Sequence, residues 1–231
     1  MGRQEKLGAL VDFLSQSIQF FYNITRSLGA PNYGLAIILF TVAVKVLLYP
    51  LTYKQLKFMR RMQELQPKAQ EIQKRFKNNP EKAQKAVLEL YQAEKVNPFS
   101  GCLPLLVQMP ILFALFSALR SFFDPAVNPG VNMEHANFLW IPNLGLPDPY
   151  YLLPVLVAAA TYAQQRVSTV NPQDQTQRTM LIVMPLLIGW MSTHFSAGLA
   201  LYWVVFSLMG IAEQWLLRRQ PGQVKEEVSA K

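Results

Sequence analysis

Charged and apolar residues are segregated along this chain more sharply than a water-soluble core tolerates. Residues 103–120 carry no charge before the last, 150–165 carry none, and 180–213 carry none before the final glutamate. Residues 54–95 hold 11 Lys/Arg and 5 Asp/Glu. A protein that crosses a membrane several times sorts its residues this way. Whole-chain averages hide the pattern, since the 231 residues are only 51% hydrophobic, 16% charged and +8 in net charge. An aromatic content of 12% excludes intrinsic disorder. The single cysteine, Cys102, excludes a disulfide scaffold and a Cys-built zinc site, and His135 and His194 are the only imidazoles.

A membrane-crossing helix needs roughly 20 mostly apolar residues. Stretches 102–123, 150–165 with its flanks, 180–195 and 198–217 meet this, and 34–49 does so apart from Lys45. The expected fold class is therefore all-α, a polytopic membrane protein with five transmembrane helices. The last two spans are joined only by Ser196-Ala197, as a tight helical hairpin. Basic loops mark the cytoplasmic side. The 11 basic residues follow the first span, while 124–149 has none and carries Asp124, Glu134 and Asp148. Arg166 and Arg178 flank the third connection, the fourth is uncharged, and the tail carries Arg218, Arg219, Lys225 and Lys231. This alternation places the N-terminus outside and the C-terminus in the cytoplasm. The expected division is 1–30, an amphipathic interfacial helix on the outer face; 31–53, the first span; 54–97, a basic cytoplasmic hairpin; 98–217, spans two to five; and 218–231, a basic cytoplasmic tail.

Within 1–30, Leu7, Leu10, Leu14, Ile18 and Phe21 fall at helical spacing. That stripe suits a helix lying in a membrane interface, and an ordinary packed helix is the alternative. Asp12, Ser15, Gln16 and Gln19 interrupt the series, and no small-x-small site follows, which argues against a signal peptide.

Phe58, Met62, Leu65, Ala69, Ile72 and Phe76 recur at alternating steps of four and three, a heptad seam. Asn78-Asn79-Pro80 breaks the helix, and Ala83, Val87 and Leu90 share a face of the next one. The spacing predicts an antiparallel two-helix hairpin, ended by Asn97-Pro98. Its basic surface suits anionic lipid or the phosphates of ribosomal RNA, or is a solvated positive-inside loop. Without interleaved aromatics it is no base-stacking platform, so recognition of a specific nucleic-acid sequence is not expected.

Lys45 lies about eleven residues into the first span, where a charge costs at least ~2.5 kcal/mol. Either its stem snorkels to the headgroups, or the ammonium faces a water-filled hollow in the cytoplasmic half of the bilayer. Gln108, Gln164 and Gln165 suit the lining of such a hollow, as do Thr41 and Ser117, although single polar groups in membranes also act as interhelical ties. Pro50, Pro104, Pro110, Pro154 and Pro185 lie in or beside spans and kink them. No HExxH, GxSxG, GxxxxGK[ST] or intramembrane acid pair is present. No catalytic residue, cofactor or metal is therefore expected, and the chain does not read as an enzyme.

The chain resembles the YidC/Oxa/Albino family of membrane-protein insertases over about residues 33–219. The stretches that carry the likeness are Gly34-Leu35-Ala36-Ile37-Ile38, Tyr49-Pro50-Leu51-Thr52 and Leu65-Gln66-Pro67-Lys68. Tyr91-Gln92-Ala93-Glu94-Lys95-Val96-Asn97-Pro98 leads through Gly101-Cys102 to Pro104-Leu105-Leu106-Val107-Gln108-Met109-Pro110. Leu139-Trp140-Ile141-Pro142-Asn143-Leu144, Asp148-Pro149-Tyr150-Tyr151 and Ala197-Gly198-Leu199-Ala200-Leu201-Tyr202-Trp203 follow in order.

The resemblance implies five helices around a hydrophilic groove, open to the cytoplasm and to lipid and closed outside. It places Lys45 where the family usually has arginine, keeping the charge but losing the bidentate fork. It places Gln165 and Trp203 at the polar and aromatic groove positions of the third and fifth spans, and Gln108 in the second. It also implies a short form without the large periplasmic domain, sited in the bacterial inner membrane. Nascent membrane proteins, the ribosome, signal-recognition components and the Sec translocon are the implied partners, besides the lipid bilayer. The rival reading is a small secondary transporter binding an anionic substrate at Lys45, although no internal repeat is visible and five spans do not halve. A structural scaffold or a lipid-binding protein is the third.

Overall fold

The computed structural model describes residues 3–94, 96, 103–169 and 175–218, with side chains described from residue 8 apart from 103–108, 111, 176, 217 and 218. The Asn97-Pro98 break, Gly101-Cys102, the side chain of Gln108 and the tail from Arg219 lie outside these residues. Among the described residues the fold is all-helical: α1 (Arg3–Ser27), α2 (Tyr33–Arg75), α3 (Pro80–Ala93), α4 (Leu103–Phe122), α5 (Leu152–Ser168), α6 (Gln175–Ser192) and α7 (Ala197–Arg218). One 3-10 turn, Met133–Ala136, interrupts the loop between α4 and α5.

The longest element is α2, 43 residues with Pro50 and Pro67 inside it. At 1.5 Å per residue it extends about 65 Å, twice the thickness of a bilayer core. The first expected span and the first arm of the hairpin are thus one helix, uninterrupted at the 53/54 boundary. Each proline removes one backbone hydrogen bond without ending it. Asn32 caps its start, accepting from the Leu35 amide at 3.1 Å. At its far end Asn79 caps α3 by accepting from the Lys82 amide at 3.0 Å, with Pro80 in the first turn. The expected hairpin follows, its heptad seam burying Leu65 and Ala69 against the α3 side, where Ala83 is buried. Lys68 and Glu94 join the two arms at 3.1 Å on an exposed surface, an ion pair of small net effect.

The bundle core lies at the end opposite the hairpin. There Tyr22 of α1 stacks on Tyr33 of α2 at 4.1 Å, and Phe122 and Phe123 of α4 meet the Tyr33 ring edge-on. The loop 124–149 closes this end. Phe138 lies on Gly34, so tightly that any larger residue at Gly34 would have to displace its ring. The carbonyls of Leu144 and Leu146 accept from the Gly198 and Ala197 amides at 2.8 and 2.7 Å, capping α7 from outside its own sequence. Asp148 is buried, accepting from the Leu153 amide at 2.7 Å, the Tyr150 amide at 3.1 Å and the Trp140 indole at 3.3 Å. Asp148→Ala would strand these donors and is expected to lower stability by about 1–3 kcal/mol, read as a fall in Tm. A Tm unchanged from wild type would show that loop closure does not depend on this carboxylate.

The apolar stripe of α1 is used for packing. Leu14 and Ile18 are buried, and Leu10 and Phe21 lean on the core formed with α2 and α4. Phe13 and Phe20 of the same helix are both exposed. Elsewhere large apolar side chains point outward in numbers that water-soluble monomers avoid: Leu47, Phe113, Val155, Leu186 and Trp190 are each more than 60% exposed. Among the described residues, α2 and the Ala197–Leu216 part of α7 are long and apolar enough to cross a membrane. By contrast α5, at 17 residues, rises only about 25 Å.

Candidate functional site

α5 and α2 pack against different flanks of α7. On the hairpin side of the core this leaves a cavity of about 140 Å3. Its walls follow from the helical periodicity of the three helices. From α2 come Lys45, Thr52, Gln55, Met59 and three leucines, one turn apart along a single face. Gln164 and Ser168, four residues apart, come from α5; Phe206, Gly210, Glu213 and Gln214 come from α7. The lining is mostly apolar, with Lys45, Thr52, Gln55, Gln164, Ser168, Glu213 and Gln214 as its polar members.

Lys45 is the centre of this site. Its ammonium lies 3.1 Å from Glu213 Oε2, and both side chains are less than 10% exposed. The same ammonium sits 3.9 Å from the centroid of the Phe206 ring, a cation–π contact strengthened by the loss of water around it. Gly210 makes this crowding feasible. A Cβ there would lie 2.5 Å from Gln164 Nε2 and 3.5 Å from Lys45 Nζ, so the bare helix backbone lets both polar side chains close on α7. A lone buried ammonium would be costly, and the carboxylate offsets that cost by neutralising it.

The sequence-expected residues are partly assembled here. Lys45 is in the cavity wall. Gln165 is not among the lining residues; the adjacent Gln164 is, because one residue along a helix rotates a side chain by about 100°. Trp203 stands one turn nearer the core and donates from Nε1 to Thr161 Oγ1 at 2.9 Å, tying α7 to α5. Phe206, three residues further on, is the aromatic ring that meets Lys45. Thr41 donates to the Ile37 carbonyl at 2.6 Å within its own helix. Gln108 belongs to α4, and its side chain is outside the described residues.

Glu213 is a site residue that the sequence analysis does not name. A signal was present: Glu213 is the single acid in the apolar stretch 180–213, as Lys45 is the single base in 34–49. Two opposite charges at similar depth in a membrane favour pairing. Two hydrogen bonds brace the hairpin end of the cavity. Gln63 Nε2 donates to the Thr169 carbonyl at 3.0 Å, and the Gln214 side chain donates to Ser168 Oγ. The first arm of the hairpin is thereby tied to the end of α5.

Comparison with known proteins places this geometry. The family model described as 60Kd inner membrane protein matches residues 23–225. The chain is 42% identical over 207 residues to the membrane protein insertase YidC of Geotalea daltonii, covering 89% of this chain and 36% of that protein. The YidC of Cupriavidus taiwanensis is 39% identical over 201 residues, covering 87% of this chain and 34% of the relative. A crystal structure of an active YidC insertase with its first transmembrane domain resolved superposes with a TM-score of 0.68 at 30% identity, over 92% of this chain and 46% of that one. The chain thus spans about a third of the length of the curated relatives it matches. By the match over residues 23–225, the chain belongs to the 60Kd inner membrane protein family, the family of the YidC membrane protein insertases.

Proposed function

We propose that this chain is a membrane-protein insertase and chaperone, which admits hydrophilic segments of client proteins to the cavity between α2, α5 and α7. The observation that carries the reading is the mostly apolar cavity with a buried Lys45–Glu213 ion pair, placed at the hairpin end below an apolar core. The YidC name of its relatives supports it and gives no support to the transporter alternative.

In this reading α2, α4, α5, α6 and α7 are five spans in the bacterial inner membrane. Basic residues flank the hairpin end, and 124–149 lacks them, which supports a cytoplasmic hairpin and C-terminus, with the N-terminus and the closed core outside. The hairpin and basic tail meet the ribosome or signal-recognition components, and the bundle works alone or beside the Sec translocon. A client tail enters between the walls, so its polar groups cross less hydrocarbon, where unsatisfied backbone costs several kcal/mol per group. The client's apolar segment leaves sideways onto the exposed leucines, valines and aromatics. Apolar burial at roughly 25 cal/mol per Å2 then drives insertion without nucleotide hydrolysis. Lys45, Gln165 and Trp203, with Gln108, are the proposed groove positions, and Gln164 joins them.

Reconstitution of the full chain into liposomes tests this. A single-span client with a hydrophilic N-tail is expected to become protease-protected well above protein-free liposomes, and Lys45→Arg should preserve insertion because it preserves the cation. Protection equal to protein-free liposomes would overturn the proposal.

A further inference from the structure

We infer that Glu213 sets the charge preference of the groove, so that the resting site presents a neutral ion pair rather than a free cation; this rests on the insertase reading. Lys45 Nζ has the carboxylate at 3.1 Å and the Phe206 ring at 3.9 Å. Both charged side chains line the same cavity, one from α2 and one from α7, and both are nearly excluded from solvent. An acidic residue of a client must therefore compete with Glu213 for one ammonium, in a medium where that contact is weakly screened. A basic residue of a client meets a carboxylate it can share. Neutral polar tails meet Gln164, Gln214 and Ser168, which carry no charge. The pair thus levels the groove: it suppresses attraction for acidic tails and removes the repulsion that a lone cation would impose on basic ones.

The geometry points to a carboxylate whose role is selectivity. It is fixed to the same helix as Phe206 and Gly210, seven and three residues away, so all three face the lysine together.

The test uses three single-span clients that differ only in the N-tail, carrying two aspartates, two glutamines or two lysines. The full chain is reconstituted as wild type, Glu213→Gln, Glu213→Asp and the double variant Lys45→Gln/Glu213→Gln. Protease protection is measured per folded protein, with folding checked by circular dichroism. Glu213→Gln is expected to raise the acidic-to-basic insertion ratio about tenfold, the scale of coupling between neighbouring charges. Glu213→Asp should keep the wild-type ratio, and the double variant should return close to it, because both charges are gone.

An equal loss across all three clients would reduce Glu213 to a structural tie and overturn the inference alone. So would an unchanged ratio in Glu213→Gln. Wild type no better than protein-free liposomes for any client would overturn the insertase reading as well, which separates the two failures.

Discussion

Lys45→Ala is expected to destabilise the bundle by about 3–5 kcal/mol, the cost of leaving a buried carboxylate without its partner. Glu213 is 6% exposed and its described ionic partner is Lys45. Removing the ammonium strands the charge between α2 and α7. The cost therefore arises at Glu213 and has little to do with the lysine's own packing. The double variant Lys45→Leu/Glu213→Leu should recover most of the loss, because a buried ion pair and an apolar pair of similar size are often close in stability. Thermal unfolding in lipid or detergent measures both. A single variant as stable as wild type would show that water reaches the pair. Insertion by Lys45→Ala must accordingly be compared per folded molecule, or a stability defect will be mistaken for lost recruitment.

Gly210→Leu is expected to reduce client insertion to the level of protein-free liposomes while most of the protein still folds. A Cβ at this position points at Gln164 Nε2 and Lys45 Nζ, the ends of flexible side chains rather than backbone. Alanine can therefore be accommodated by a small shift of Gln164, and it gains helix propensity over glycine. Gly210→Ala should keep most insertion. The leucine branch extends between Gln164 and Lys45 at the wall of the cavity and obstructs it, with an overpacking cost of about 1–3 kcal/mol. Protease protection of a neutral-tailed client, beside the Tm of each variant, separates blockage from unfolding. Wild-type insertion by the leucine variant would move the client path away from this cavity.

The helical elements were legible because their signals are local. The heptad seam and the Asn79-Pro80 start of α3 each act through neighbours a few residues apart, and the short connection expected at Ser196-Ala197 spans residues 193–196, with Ala197 already in α7. The continuity of α2 was not legible. Hydropathy changes sharply near residue 53, but backbone hydrogen bonding does not depend on polarity, so the helix passes from apolar to basic surroundings unbroken. The periodicity of the α1 stripe is the same whether lipid or protein covers it, and the burial of Leu14 and Ile18 in the core is a tertiary fact.

At the site, residue order alone establishes that a cation lies within an apolar stretch. It did not determine what faces that cation. Lys45 and Glu213 are separated by 168 positions, and their meeting depends on how α2 and α7 are rotated about their axes. Long-range packing constrains that rotation: Phe138 lies on Gly34, the loop carbonyls of Leu144 and Leu146 hold the start of α7, and Trp203 is tied to Thr161. The same rotation brings Gln164 to the cavity and the Phe206 ring to the lysine. Hydropathy specifies how many residues suit a membrane, whereas the facing of each residue is a long-range steric outcome that only the tertiary structure decides.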